Sequence, residues 1–337
     1  MDCLNPVPCW FIGAAPCKRD GIVSPVLTFS PNKAREYLRS VGQDDTMLDF
    51  IGHSVPCGKC INCLVKKRRD MATRICKEAQ MSNQVCFITL TYNDDNVPKF
   101  DVDNWDNRLC LDKSHLQLFI KRLRSDLEYR GLVPRGTIRY FGVGEYGPKT
   151  FRPHYHIIIF GWKPSDIKLH GKSKSNHLIY TSPTLEHSWK LGYSYVEDFS
   201  PSAARYCARY VTKKLTKDKS PLLDGLPDEF FLASKGRSSD LGLSKGGIGA
   251  LWCDMFGQQA AEAGFVLINH GNRLIKAATP AYFLDRVRTH NPETWKRIRE
   301  RKLQWSLEHF GETVDSSIRK MLYSSHQLKQ ETERAIL

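Results

Sequence analysis

Two strand-like runs, TIRYFGVGEY at 137–146 and HYHIIIFGW at 154–162, flank the short segment GPKTFRP, whose glycine and prolines suit a hairpin connection. An antiparallel pair is therefore expected at the centre of the fold. A third run, QVCFITLTY at 84–92, is rich in β-branched and aromatic residues and ends at the turn-forming Asn93-Asp94-Asp95-Asn96. Helical patterns lie between and after these runs. Asp112 is a candidate N-cap for KSHLQLFIKRLRSDLEYR, where Leu116, Phe119, Ile120, Leu123 and Leu127 recur at helical spacing. SPSAARYCARYVTKKL predicts a second helix over about 201–216, capped by Ser200 or Ser202. Strands and helices together predict an α+β fold with an antiparallel central sheet and flanking helices.

Three zones follow along the chain. Residues 1–80 hold seven of the eleven cysteines, show few strand patterns and pass into a basic helix, KKRRDMATRICKEAQ. Residues 81–220 carry the alternating strands and helices. Residues 221–337 contain the glycine-rich SKGGIGALW and a basic helix opened by Asn291 and Pro292. Trp295, Ile298, Leu303 and Trp305 lie among its Arg and Lys residues, a pattern that suits either a solvated face or DNA contact. Lys and Arg number 50 against 36 Asp and Glu, a net charge of +14 that favours a polyanionic partner, nucleic acid first. The start, MDCLNPVPCWF, lacks a basic stretch followed by an apolar one, and the longest apolar run is short, so neither secretion nor membrane passage is expected. In such a chain an odd cysteine count points to reduced thiols, some of them metal ligands.

The chemistry concentrates at His154 and His156. Side chains two apart on a strand share a face, so both imidazoles can reach one divalent ion. Glu145, just before the hairpin connection, can add its carboxylate by cross-strand pairing. The alternative is a pair of partly buried, satisfied histidines. Tyr206, Tyr210, Lys213 and Lys214 stand at i, i+4, i+7 and i+8, one face of a helix. A phenol titrating near pH ~10 needs positive charge beside it to act as a nucleophile, and the lysines offer it; otherwise the tyrosines merely pack on the sheet. Cys57-x-x-Cys60-x-x-Cys63 suits a structural zinc ion, with Cys76, Cys17, Cys9 or His53 as the fourth ligand. Unliganded thiols are the other reading, and the spacing lacks the further cysteine usual for an iron–sulfur cluster. Lys66, Lys67, Arg68 and Arg69 suit phosphate contacts or a solvated face.

The order FITLTY, a Glu-bearing strand, His-x-His, then a helix with Y-x-x-x-Y and lysines resembles the HUH rolling-circle replication endonucleases. PCGKCINC, RPHYHIIIFG, Trp-Lys-Leu-Gly-Tyr at 189–193 and RYCARYVTKKL are similar more closely to replication initiation proteins of gokushovirus-type microviruses, circular single-stranded DNA phages. The likeness runs from about residue 55 to 250. Tyr155 departs from it as a bulky, polar-tipped central residue, and Gly246 stands where proline is expected. The resemblance implies an HUH-like sheet domain and a site-specific DNA nickase and strand transferase. In it His154, His156 and Glu145 hold Mg2+ or Mn2+, and Tyr206 and Tyr210 alternate as nucleophiles, leaving a 5′-phosphotyrosine and a free 3′-hydroxyl. Single-stranded DNA and the replicative-form origin are the implied partners, in the host cytoplasm, with a host polymerase and helicase. No G-x-x-x-x-G-K-[ST] motor motif occurs in the chain. A plasmid relaxase or transposase of the same chemistry, a non-catalytic zinc-containing nucleic-acid-binding protein and a water-using metallohydrolase are the alternatives.

Overall fold

The computed structural model describes residues 3–16, 23–49, 52–101, 106–173, 176–213, 221–236, 246–271 and 273–308. In chain order the elements are β1 (Val7–Pro16), β2 (Val23–Thr28), α1 (Pro31–Ser40), β3 (Gly52–Val55), α2 (Ile61–Gln80), β4 (Val85–Tyr92), β5 (Lys99–Asp101), β6 (Asp106–Leu109) and α3 (Lys113–Tyr129). There follow β7 (Arg139–Tyr146), β8 (Pro153–Phe160), β9 (Lys168–Lys172), β10 (Leu178–Thr181), α4 (Pro183–Ser188), β11 (Gly192–Asp198) and α5 (Pro201–Ala208). The last are β12 (Phe230–Ala233), α6 (Ala250–Ala263), β13 (Phe265–His270), β14 (Arg273–Ala278), α7 (Ala281–His290) and α8 (Pro292–Glu308).

Chain contacts divide the protein into two compact units, one of Met1–Lys67 with Leu284–Leu337, the other of Arg68–Phe283. The first contains the small sheet β2-β1-β3, which the sequence reading did not anticipate. Pro8, Gly13 and Pro25 interrupt any alternation in its strands, so periodicity gave no signal there.

The larger unit is built on a seven-stranded sheet, β12-β7-β8-β4-β11-β10-β9, in which every neighbouring pair is antiparallel. This is the expected α+β architecture. Both faces of its centre are covered. On one, Ile88, Leu90, Tyr155, Ile157 and Ile159 pack with the α3 residues Leu116, Phe119, Ile120, Leu123 and Leu127, the five that helical spacing singles out. On the other, Phe87, Phe141, Val143, Ile158 and Phe160 pack with Ile75 of α2 and Ala204, Cys207 and Ala208 of α5. Because β8 is covered on both sides it reads as an apolar run, and only the histidines reveal which face is which.

Tyr155 finds a physical role on the α3 side. Its hydroxyl donates to the Asp112 carbonyl at 2.6 Å and lies 2.6 Å from the Tyr92 hydroxyl, so the polar tip is satisfied while the ring fills the core. Asp112 caps α3 as expected, accepting from the Ser114 amide at 2.7 Å. Among Gly246–Gly249, the segment whose role the sequence left open, Gly249 has φ +82° and its amide donates to Glu78 Oε2 at 2.7 Å. A Cβ there would meet the Phe283 ring at 3.0 Å, so glycine serves both the left-handed turn and the close approach. Neighbouring Ile248 joins the buried cluster beneath α5. No described helix is long and apolar enough to cross a membrane.

Candidate active site

The hairpin register sets the site. Glu145 of β7 pairs directly with His154 of β8, and Val143 with His156, so both histidines and the carboxylate lie on the α5 side of the sheet. His154 Nε2 is 2.7 Å and His156 Nε2 3.0 Å from the same oxygen, Glu145 Oε1. The Glu145 side chain is only 4% exposed, which in isolation would make its charge costly. Burial indeed pushes its pKa up, but the hydrogen bonds from both histidines override that and hold it well below the carboxylate range. His154 answers in kind: burial alone would lower its pKa, while the Glu145 hydrogen bond and charge raise it.

The remaining ring nitrogens are also fixed. His154 Nδ1 lies 3.1 Å from the Arg152 carbonyl and His156 Nδ1 3.0 Å from Thr89 Oγ1 on the neighbouring β4. A carbonyl can only accept, so Nδ1 of His154 carries a proton, leaving Nε2 as its metal-binding nitrogen. Phe87 stacks on His156 with centroids 5.3 Å apart and planes 8° from parallel, holding the ring in place. One ligand atom from each of Glu145, His154 and His156 lies within 4.8 Å of the others. Two oriented imidazoles and a buried carboxylate fit a divalent cation. Thr89→Val is expected to leave the fold intact and weaken binding of Mn2+ about 10–100-fold, measured by titration calorimetry. Unchanged affinity would mean that Thr89 does not orient His156.

Ser200 caps α5, accepting from the Ala203 amide at 3.1 Å. The helix ends at Ala208 and a 3-10 turn covers Arg209–Val211, so the helix expected over about 201–216 is shorter than its sequence suggests. Tyr206 stays on the helix, and its hydroxyl donates to Glu145 Oε1. Tyr210 falls in the 3-10 turn. It is 7% exposed, its ring centroid is 6.0 Å from that of Tyr206, and it shares a buried cluster with Phe141, Val143 and Ile248. The four-residue stack of tyrosines and lysines therefore does not form as one helical face. Lys213 lies beside Tyr210, its ammonium 5.6 Å from the ring centre and 2.6 Å from Glu229 Oε2. Lys214 is outside the described residues. The cation next to Tyr206 is instead Arg209, 5.9 Å from its ring centre, which the sequence reading passed over. Burial, then the Glu145 charge and hydrogen bond, raise the Tyr206 pKa far above that of a free phenol, with Arg209 opposing.

The cysteines form a second group. Cys57, Cys60 and Cys63 converge as expected, and the fourth sulfur is that of Cys3, with one ligand atom from each within 4.8 Å of the others. None of the four residues anticipated for that position supplies it: Cys9 is buried in β1 and Cys76 belongs to α2 in the larger unit, while Cys17 and the side chain of His53 lie outside what the structure describes. Asn291 caps α8 as expected, accepting from the Thr294 amide at 3.3 Å; the Leu303 and Trp305 side chains likewise lie outside it.

Comparison with known proteins gives the kinship. Residues 85–215, which carry β4, Glu145, both histidines and both tyrosines, match the family model of the replication-associated protein ORF2. Over 249 residues the chain is 33% identical to the replication-associated protein VP4 of Bdellovibrio phage phiMH2K, covering 73% of this chain and 71% of that one. This chain belongs to the phage replication-associated proteins. It is also 36% identical over 165 residues to the replication-associated protein ORF4 of Chlamydia phage 1, covering 48% of this chain and 38% of that one. With ORF2 of Spiroplasma virus 4 it shares 32% over 188 residues, 56% of each chain. The gokushovirus-type resemblance is thus shown, and a part in phage DNA replication comes with it. No solved structure matches the chain.

Proposed function

We propose that this replication-associated protein starts phage DNA synthesis by nicking one strand at the origin through Tyr206, as an HUH-type endonuclease and strand transferase. The observation that carries the reading is the convergence on Glu145 Oε1: two imidazole nitrogens and the Tyr206 hydroxyl all meet one buried carboxylate oxygen. A purely structural histidine pair has no need of a phenol at the same atom. Magnesium or manganese held by His154, His156 and Glu145 would offset the charge on the scissile phosphate and counter the carboxylate that now keeps the phenol protonated.

The chain's own groups supply the rest. The Tyr206 oxygen attacks phosphorus as its proton leaves toward Glu145; the bond from phosphorus to the 3′-oxygen breaks, and that oxygen takes up a proton. DNA is left joined through its 5′ phosphate to the protein, with a free 3′-hydroxyl for a host polymerase in the host cytoplasm. Arg152, held by Asp94 at 2.8 Å and the Tyr92 carbonyl at 3.0 Å, keeps the hairpin that carries His154 in place. The net charge of +14 supports binding to single-stranded DNA and the replicative form. Strand opening falls to a host helicase.

The test is a labelled single strand carrying the phage's own origin. With Mn2+ the label is expected to stay on the protein after denaturation, and excess EDTA is expected to abolish both cleavage and adduct. Cleavage without adduct would replace this reading with a water-using hydrolase; binding without cleavage would replace it with a non-catalytic binding protein.

A further inference from the structure

The cysteine group lies in the smaller unit and takes no part in the chemistry above. Its geometry is specific. Zinc bonds to sulfur at about 2.3 Å, so a tetrahedral site places its sulfurs about 3.8 Å apart. Cys3 Sγ and Cys60 Sγ are 3.7 Å apart without any bond between them. That spacing is too long for a disulfide and matches two corners of a metal tetrahedron.

The backbone around the sulfurs is arranged for negative charge. The amides of Lys59 and Cys60 donate to Cys57 Sγ at 3.4 and 3.2 Å, that of Cys57 to Cys3 Sγ at 3.2 Å, and that of Leu4 to Cys60 Sγ at 3.4 Å. Gly58, with φ +72°, permits the turn that aims two of these amides at one sulfur. Cys60 immediately precedes α2 and Cys63 lies in its first turn, where the helix dipole favours anions. Lys67 reaches back to donate to the Gly58 carbonyl at 3.0 Å, bringing an ammonium to the same loop. Four ordinary thiols have no use for such donors; four thiolates around a dication, carrying a net charge of −2, do.

We propose that Cys3, Cys57, Cys60 and Cys63 bind one zinc ion as four thiolates and so tie the residues before β1 to the start of α2. Zinc is the ion this set favours, since thiolates are soft ligands and four of them close its shell, leaving no open position for catalysis. The thiol pKa values agree with the arrangement. Burial opposes ionisation of Cys60, yet the amides of Cys63 and Leu4 bring it down to about 6, while burial pushes Cys63 up to about 12. The last proton of the metal-free group thus sits on Cys63, and zinc binding releases it. The ion's binding free energy then enters the folding free energy of a unit whose largest described sheet has three strands.

The experiment uses the full chain, prepared without chelator, carrying His154→Ala and His156→Ala so that any retained metal belongs to the cysteines. Elemental analysis is expected to find about one zinc per chain, unchanged by Cys9→Ala and lowered at least about tenfold by Cys3→Ser. Because losing the ion through Cys3→Ser can also cost solubility, the wild-type chain supplies an independent measurement. Alkylation mapped by peptide mass is expected to be slow at all four sulfurs, Cys3 included, and at least about tenfold faster once a strong chelator is added. Iron in place of zinc, zinc undiminished by Cys3→Ser, or Cys3 alkylated at full rate in zinc-loaded protein would each overturn the proposal. None of these readouts depends on DNA cleavage, so they stand or fall apart from the nickase reading.

Discussion

His154→Ala and His156→Ala are each expected to lose at least about 10²–10³-fold in nicking rate while binding of single-stranded DNA stays within about twofold. The two effects separate because they rest on different atoms. Each histidine supplies one of three ligand atoms at a buried carboxylate, whereas phosphate affinity is spread over the Lys and Arg excess. Loss of either imidazole also strips a hydrogen bond from Glu145, so a fall of about 1–3 kcal/mol in stability accompanies the loss of activity. Melting curves must therefore show that the variants are folded at the assay temperature. Glu145→Gln keeps an oxygen for the ion but not the charge, and its defect is expected to shrink as Mn2+ is raised. If either alanine variant nicked at the wild-type rate in folded form, the metal assignment would fail.

The parts of this site that follow short-range rules could be read from the sequence. Alternation along β8 puts His154 and His156 on one face, and a short hairpin brings Glu145 opposite. The five buried positions of α3 repeat at helical spacing and could be named in advance. What escaped depends on contacts between distant segments. Thr89 and Phe87 touch His156 only because β4 lies beside β8, a pairing that no local pattern announces. Cys3 joins cysteines more than fifty positions away. RYCARYVTKKL contains neither glycine nor proline and has good helix formers throughout, yet α5 stops at Ala208. Tertiary packing overrides propensity there: Tyr210 is drawn into the cluster with Phe141, Val143 and Ile248, and the backbone tightens into a 3-10 turn to deliver it.

That turn separates the two tyrosines and sets the second expectation. Tyr206→Phe should abolish the first covalent adduct, because the removed oxygen is the one bonded to Glu145 beside both histidines. Tyr210→Phe should still form that adduct and fail later. A rolling circle needs two transfers. One tyrosine holds the 5′ end while a second cuts the regenerated origin, and the new 3′-hydroxyl then attacks the first phosphotyrosine to close the circle. With its ring 6.0 Å from that of Tyr206, Tyr210 is near enough to serve the second cut after a modest shift of the 3-10 turn. Lys213 stands over Tyr210 and is held by Glu229, so its charge favours ionisation of this phenol rather than of Tyr206. The assay is one labelled strand carrying two origins, scored for adduct and for closed circles. Tyr206→Phe is expected to give neither, Tyr210→Phe adduct without repeated closure, and the double variant nothing. Were Tyr206→Phe to form the first adduct at the wild-type rate, the hydrogen bond to Glu145 would mark a packing residue, and the nucleophile would be Tyr210 alone.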